Sequence, residues 1–119
     1  MNAKGQAYSN GSGGWKPFEQ GLTISTRGSE GGEIIRDEEH ADGARISLER
    51  STLYNVPFAI TCGIYGWMVH TRFFADEPGA LAAYDQMKAA IASILELIVH
   101  ESAVDTVSEA VEQFVENYP

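Results

Sequence analysis

The sequence predicts an α+β fold in which the strands of an antiparallel sheet come first and two helices follow. Before residue 75, apolar and β-branched residues alternate with polar ones or form short runs, separated by turn-forming residues. Beyond residue 77, apolar residues recur at spacings of three and four. Strands that precede helices are typical of a meander covered by helices on one face. We expect strands over residues 18–27, 33–39, 44–52 and 58–74, and helices over residues 77–99 and 103–117 packed on one face of the sheet.

The length and the composition of the N-terminus predict the domain organisation. The chain has 119 residues, a length typical of one domain. Its first residues are small and polar, and they cannot bury enough apolar surface to offset the entropy lost on ordering. We therefore expect a flexible tail over residues 1–14 and a single α+β domain over residues 15–119.

The first predicted strand rests on alternation, and the next two rest on a turn. Residues 18–27 place apolar and polar side chains on alternate sides, as a half-buried strand does. The dipeptide Asp42-Gly43 lies between residues 33–39 and 44–52, and such dipeptides are typical of hairpins. These three segments are therefore expected to pair in order.

Two registers are open for this hairpin. A two-residue loop places Ile35 opposite Arg50 and Asp37 opposite Leu48. A four-residue loop instead pairs Ile35 with Leu48, Glu38 with Arg45, and Glu33 with Arg50. We prefer the second register because apolar side chains and opposite charges then meet. In it, Asp37 and Glu39 share the face of Ile46 and Leu48. Both registers place Ala44 on that face as well, and turn Arg45, Ser47 and Glu49 toward water.

Residues 58–74, FAITCGIYGWMVHTRFF, are the segment around which the rest is expected to assemble. Both faces of such a strand are largely apolar, so both need covering. The run is longer than the usual strand of about 3–10 residues, and Gly63 and Gly66 weaken its interior. We expect either one strand with a bend near Tyr65 or two shorter strands.

The position of this run in the meander predicts a partner. As the last strand it would be an exposed edge, which favours aggregation. Either the first strand returns beside it, or it pairs with a second copy across a two-fold axis. We prefer a homodimer, because the helices cover only the face with the even-numbered residues. The expected interface residues are Tyr65, Trp67, Val69 and Phe73.

The helix boundaries follow from capping residues. Asp76 is a favourable N-cap, and Pro78 lies in the first turn, where proline is tolerated. His100, Glu101 and Ser102 resemble a joint between helices, and Ser102 with Asp105 resembles a capping box. A continuous helix through His100 is the alternative.

Charge and composition exclude several classes of partner. With 17 acidic and 8 basic residues the net charge is −9, which repels phosphate backbones, so we expect no nucleic-acid partner. No apolar run has the length and flanks of a membrane helix, so we expect no membrane partner. The N-terminus lacks the apolar core of a signal peptide, which favours a cytoplasmic protein. Cys62 is the single cysteine, so no intrachain disulfide forms.

The candidate ligand-binding residues lie in the central run. His70 and Arg72 share a strand face and would suit an anionic ligand, with Tyr65 and Trp67 stacking on it. The alternative is that this strand end simply reaches solvent. Asp37 and Glu39 are candidate acid–base groups or cation ligands, or solvated charges at a hairpin tip.

No recognisable catalytic constellation occurs. The sequence has no phosphate-binding loop, no nucleophile motif and no histidine pair at ligand spacing. We therefore assign no catalytic residues, no metal and no cofactor, and lean toward a protein that is not an enzyme. The preferred function is a non-catalytic protein-interaction or regulatory module acting as a homodimer. The alternative is a small-ligand-binding or enzymatic domain with a pocket between sheet and helices near His70 and Arg72.

Overall fold

The protein folds as an antiparallel sheet followed by two helices, in a computed structural model that describes residues 13–52 and 56–119. In these residues, five strands pair in chain order: β1 (Trp15–Pro17), β2 (Glu33–His40), β3 (Ala44–Arg50), β4 (Phe58–Ile64) and β5 (Met68–Phe74). Helices α1 (Glu77–Val99) and α2 (Val104–Asn117) follow. The predicted α+β arrangement is confirmed, with five strands rather than about four. Residues 1–12 of the expected tail lie outside the described residues.

The core lies between one face of the sheet and the helices. Strands β3 and β4 contribute fully buried side chains at alternate positions, and α1 contributes a stripe at spacings of three and four. Asp76 begins α1 as predicted, since its carboxylate accepts a hydrogen bond of 2.8 Å from the Gly79 amide. The largest core side chains are Ile46, Leu48, Ile60, Ile64, Tyr84, Met87, Ile91, Leu95 and Phe114.

The predicted strand over residues 18–27 is wrong. Residues Phe18–Gly21 form a short 3-10 turn in which Glu19 and Gln20 have positive φ, and the edge position beside β2 is taken by β1. Leu22 is 74% exposed, so the alternation of apolar and polar residues in this segment does not correspond to alternating buried and exposed side chains. We call residues 22–32 the covering loop, because they run over the sheet face opposite the helices.

The β2–β3 hairpin has a three-residue loop instead of the expected four-residue one. His40 pairs with Ala44, and the register shifts at an irregularity between Ile34 and Arg36. Beyond that shift Glu33 pairs with Arg50, as predicted. On the hairpin side of it, the predicted pairs are displaced by one residue.

The displaced register changes which acidic side chain faces the core. Glu38 pairs with Ile46 and faces the helices, whereas Asp37 pairs with Ser47 on the opposite face. The prediction that Asp37 and Glu39 share the face of Ile46 is therefore wrong. A three-residue loop with Gly43 at positive φ explains the difference, since it offsets the pairing by one.

The prediction that Ser47 and Glu49 face water is also wrong, because the covering loop lies over them. Glu49 is buried, and its carboxylate accepts hydrogen bonds from the amides of Gly32 at 2.9 Å and Glu30 at 3.2 Å. A Cβ on Gly28 would lie 2.3 Å from the Glu49 carboxyl carbon. A side chain at residue 28 would therefore force the loop or the Glu49 carboxylate to move.

Residues 58–74 form two strands, which was one of the two expected outcomes. Residues 65–67 turn the chain, and β4 and β5 then pair without a register shift from Phe58 and Phe74 to Ile64 and Met68. Because the loop between β4 and β5 has three residues, each pair of opposite residues has the same parity. The even-numbered residues of both strands therefore lie on the helix face. The sheet surface opposite the helices is called the open face below.

Helices α1 and α2 are separate. The amide of Ser102 bonds to the Leu97 carbonyl oxygen and that of Glu101 to the Ile98 oxygen, with Glu101 at φ 58. This pattern is a Schellman motif, which ends a helix. The expected capping box does not form, since α2 begins after Ala103 without a side-chain cap. Neither described helix has both the length and the apolar character needed to cross a bilayer.

Candidate functional site

Two of the four residues predicted to bind a ligand lie on the helix face and contact other groups of the chain. His70 Nε2 hydrogen-bonds to the carbonyl oxygen of Tyr118, and its ring meets Phe114 edge-on at 6.4 Å between centroids. The guanidinium carbon of Arg72 lies 4.7 Å from the centroid of the Phe74 ring. His70 therefore attaches the end of α2 to β5.

The other two residues lie in the β4–β5 turn. The Tyr65 hydroxyl donates a 2.8 Å hydrogen bond to Glu39 Oε2. Burial and this hydrogen bond raise the pKa of Tyr65 to about 12. Trp67 is half-buried and packs against the core. The structure thus does not gather the four residues at one point, because Tyr65 contacts open-face Glu39 while His70 contacts α2.

Three of the four residues predicted for a dimer interface are exposed or partly exposed on the side of the sheet away from the helices. Val69 is 84% exposed and Tyr65 is 53% exposed. Phe73 is partly exposed and shares the open face with Val69, since both have odd parity on β5. Trp67 departs from this group because it packs against the core.

Strand β5 forms one edge of the sheet. It pairs with β4 on one side, and no strand of the described residues pairs on its other side. The opposite edge is the three-residue strand β1. Of the two sheet edges, the longer and more regular one is therefore β5, whose composition is largely apolar.

The open face carries a groove that the sequence analysis missed. It lies between the covering loop and strands β4 and β5, and its volume is about 640 Å³. Thr61 and Gly63 of β4 lie in it, and Val69 and Thr23 line its sides. We call it the open-face groove. The one sequence signal for it was weak: Gly63 interrupts the predicted strand over residues 58–74.

An ion pair stands beside this groove. Arg45 Nε and Nη2 donate to both oxygens of buried Asp37, at 2.9 and 2.7 Å, and the Thr23 hydroxyl donates to the same carboxylate at 2.8 Å. The hydrogen bond to Asp37 raises the pKa of Arg45. The Arg45 guanidinium also stacks on Phe18, 3.6 Å from the ring centroid. This network attaches the start of the covering loop to the hairpin.

A second polar cluster lies in the core on the helix side. Glu38 accepts hydrogen bonds from the Tyr84 hydroxyl at 2.8 Å and from Lys88 Nζ at 3.0 Å. Such groups resemble an acid–base site, but each is already bonded to another member of the cluster. The sequence did not indicate it, since the predicted register turned Glu38 the other way.

Metal and thiol chemistry have little support in the described part of the chain. Among residues 13–52 and 56–119, no three His, Cys, Asp or Glu side chains are grouped to hold a metal ion. Cys62 is a buried free thiol, and burial raises its pKa to about 12. It therefore lacks the thiolate character of a nucleophile.

Comparison of the chain with family models, with curated proteins and with solved structures finds no match.

Proposed function

We propose that the protein is a non-catalytic interaction module that forms a homodimer by antiparallel pairing of β5 with β5 of a second copy. One observation carries this proposal. Strand β5 is a seven-residue edge strand with an apolar composition and unbroken register.

Edge strands usually carry protection against pairing. Short length, proline, bulges and inward charges are the common devices. Strand β5 reads MVHTRFF and has neither a proline nor a bulge, and Arg72 is its one permanently charged residue. About half of the backbone N–H and C=O groups of an edge strand point away from its neighbour and need a partner. A second copy supplies such partners with matching length.

The exposed side chains favour the same arrangement. In antiparallel pairing about a two-fold axis through Thr71, Val69 of one copy lies opposite Phe73 of the other. Val69 is 84% exposed in the single chain, so pairing would remove much of its apolar surface from water. The helices of both copies would then lie on the same side of one continuous sheet.

The candidate for an enzymatic role near His70 and Arg72 has less support. His70 bonds to Tyr118, and Arg72 lies over Phe74. A ligand at this place would have to displace contacts that hold α2 against the sheet.

We also infer a cytoplasmic location, because Cys62 is a free buried thiol and free thiols are typical of reducing compartments.

Sedimentation velocity of the full chain tests the homodimer. We expect a dimer at tens of micromolar and dissociation on dilution, as mass action requires. The variant Val69→Glu places a carboxylate on the edge strand of each copy and should weaken dimerisation at least tenfold. A monomeric wild-type protein across this concentration range would overturn the proposal.

Val104→Glu is the matched control. Val104 is 66% exposed and begins α2, whose other end reaches β5 through Tyr118. The helix places it about 20 Å from that contact, and a carboxylate in a first helical turn is favourable. Dimerisation should therefore match the wild type. Equal weakening by both variants would mean that net charge, not β5, controls association.

A further inference from the structure

We propose that the open-face groove binds a small organic anion with an apolar body. The inference does not require dimerisation, although Val69 both lines the groove and lies in the proposed interface. Size, charge and the polar groups of the floor each support it.

The groove has the dimensions of a ligand site. Its volume of about 640 Å³ lies within the range of roughly 300–1,000 Å³ found for small-molecule pockets. Apolar atoms form much of its lining, and they include the side chains of Ile34 on β2 and Val69 on β5. Gly63 contributes no side chain, and a Cβ there would lie 3.3 Å from the Met68 carbonyl oxygen. The missing side chain leaves room above the floor.

The permanent charges that line the groove are both positive, although the chain as a whole carries −9. They are Arg27 on the covering loop and Arg45 on β3. Arg45 is neutralised by Asp37, as described above. Arg27 is exposed, and its side chain makes no hydrogen bond or ion pair with the described residues. Its guanidinium is therefore available to an incoming anion.

The acidic groups around the groove are already bonded to other groups. Asp37 accepts from Arg45 and Thr23, Glu39 accepts from Tyr65, and Glu49 accepts backbone amides of the covering loop. These carboxylates are held away from the lining, which contains none of them. Of the two charged residues that line the groove, Arg27 is therefore the one without an ion-pair partner among the described residues.

The floor offers hydroxyl groups. Ser47 is 9% exposed and lines the groove, and its hydroxyl makes no hydrogen bond within the described residues. Thr61, its cross-strand partner, shares a 3.3 Å hydrogen bond with Thr71. A buried hydroxyl without a partner is costly, and a polar ligand atom would supply one. If the anionic group of a ligand binds Arg27 and its ring lies over Gly63, polar atoms of the ligand come near the hydroxyl groups of Ser47 and Thr61.

Titration of the ¹⁵N-labelled full chain with small probes tests this inference by NMR. Benzoate and phenyl phosphate are the anionic probes, and benzamide is the neutral control of nearly equal shape. We expect saturable shifts of the Ser29, Ser47 and Gly63 amides with at least one anion, and at least tenfold weaker binding of benzamide. Equal binding of benzamide and the anions, or shifts spread over the whole surface, would overturn the proposal. A preference between the two anions would identify the head group.

Two pairs of variants assign the site. Arg27→Gln should weaken the anion at least tenfold, whereas Arg36→Gln should not, because Arg36 is an exposed β2 residue on the helix-face parity. Thr61→Leu should fill the groove and abolish binding of the anion, with folding checked by the dispersion of the spectrum. If Arg27→Gln and Arg36→Gln have the same effect, the groove is not the site.

Discussion

Lys88 Nζ lies 2.9 Å from Glu38 Oε1, and this ion pair joins the middle of α1 to β2. Glu38 is fully buried and Lys88 is 16% exposed. The Lys88 ammonium also lies 5.8 Å from the centroid of the Trp15 ring, on β1. One polar cluster inside the core therefore fixes the helix against the first two strands.

Removal of the cation from this pair should be costly. In Lys88→Met the Glu38 carboxylate stays buried, and Tyr84 is its one remaining side-chain donor among the described residues. An uncompensated buried charge costs about 3–5 kcal/mol. Urea unfolding should show this loss of free energy. Adding Glu38→Gln to the variant should recover part of it, because the buried charge is then gone.

The Arg50–Glu33 pair is the control for this prediction. It has a similar geometry, 3.1 Å between Nε and Oε1, but both side chains are largely exposed. Arg50→Met should cost less than about 1 kcal/mol. Similar losses from Arg50→Met and Lys88→Met would show that burial does not determine the strength of the pair.

The covering loop should be sensitive to a single methyl group. In Gly28→Ala the new Cβ would lie 2.3 Å from the Glu49 carboxyl carbon, so the loop or the carboxylate has to move. Such overpacking costs about 1–3 kcal/mol. Thermal unfolding should show it, together with faster hydrogen exchange of the Gly32 amide, which bonds to Glu49.

Gly63→Ala is the comparison for the loop variant. Its Cβ would approach the Met68 carbonyl oxygen to 3.3 Å, a much milder contact. We expect a smaller loss of stability and unchanged exchange at Gly32. A loss in Gly63→Ala that equals the loss in Gly28→Ala would contradict the close approach of the loop to Glu49.

The parts of the fold that were predicted correctly depend on local signals. The start of α1 follows from Asp76 and Pro78, and its length follows from an apolar stripe that continues to Ile98. The strands β2 and β3 follow from the Asp42-Gly43 turn between them, and β4 follows from a run rich in apolar and β-branched residues. These signals act over a few residues, so a single sequence contains them.

The errors have long-range causes. Leu22 and Ile24 alternate like strand residues, but β1 already occupies the edge of β2, so they remain exposed on a loop. The irregularity at Ile34 shifts the hairpin by one residue, and that shift decides whether Glu38 or Asp37 meets the helices. The open-face groove depends on both outcomes. No local pattern around Arg27 or Gly63 specifies that both line the same groove.

The thiol of Cys62 should be nearly inert in the folded protein. Burial raises its pKa from 9.0 to about 12, which lowers the thiolate fraction at neutral pH by about a thousandfold. Reaction with Ellman's reagent should therefore be at least a hundredfold slower in the native protein than in guanidinium. Fast reaction under native conditions would contradict the burial of this side chain.

The same pKa shift predicts how stability depends on pH. The folded state holds the thiol proton more tightly than the unfolded state, so the stabilisation is fully present below about pH 9 and is lost as the pH rises toward 12. Urea unfolding over this range should show a steeper decline for the wild type than for Cys62→Ala. Parallel curves would mean that Cys62 does not contribute.

The joint between the helices should be improved by glycine. Glu101 has φ 58 at the residue where a Schellman motif favours glycine, and its carboxylate lies at the negative end of the α1 dipole. In Glu101→Gly the backbone strain is relieved and the charge is removed, and we expect a gain of about 1 kcal/mol. Thermal unfolding should then shift upward by roughly 3–6 °C. Glu101→Gln removes only the charge and should give a smaller gain, so an equal gain in both variants would mean that the dipole, not the left-handed backbone, limits stability at this joint.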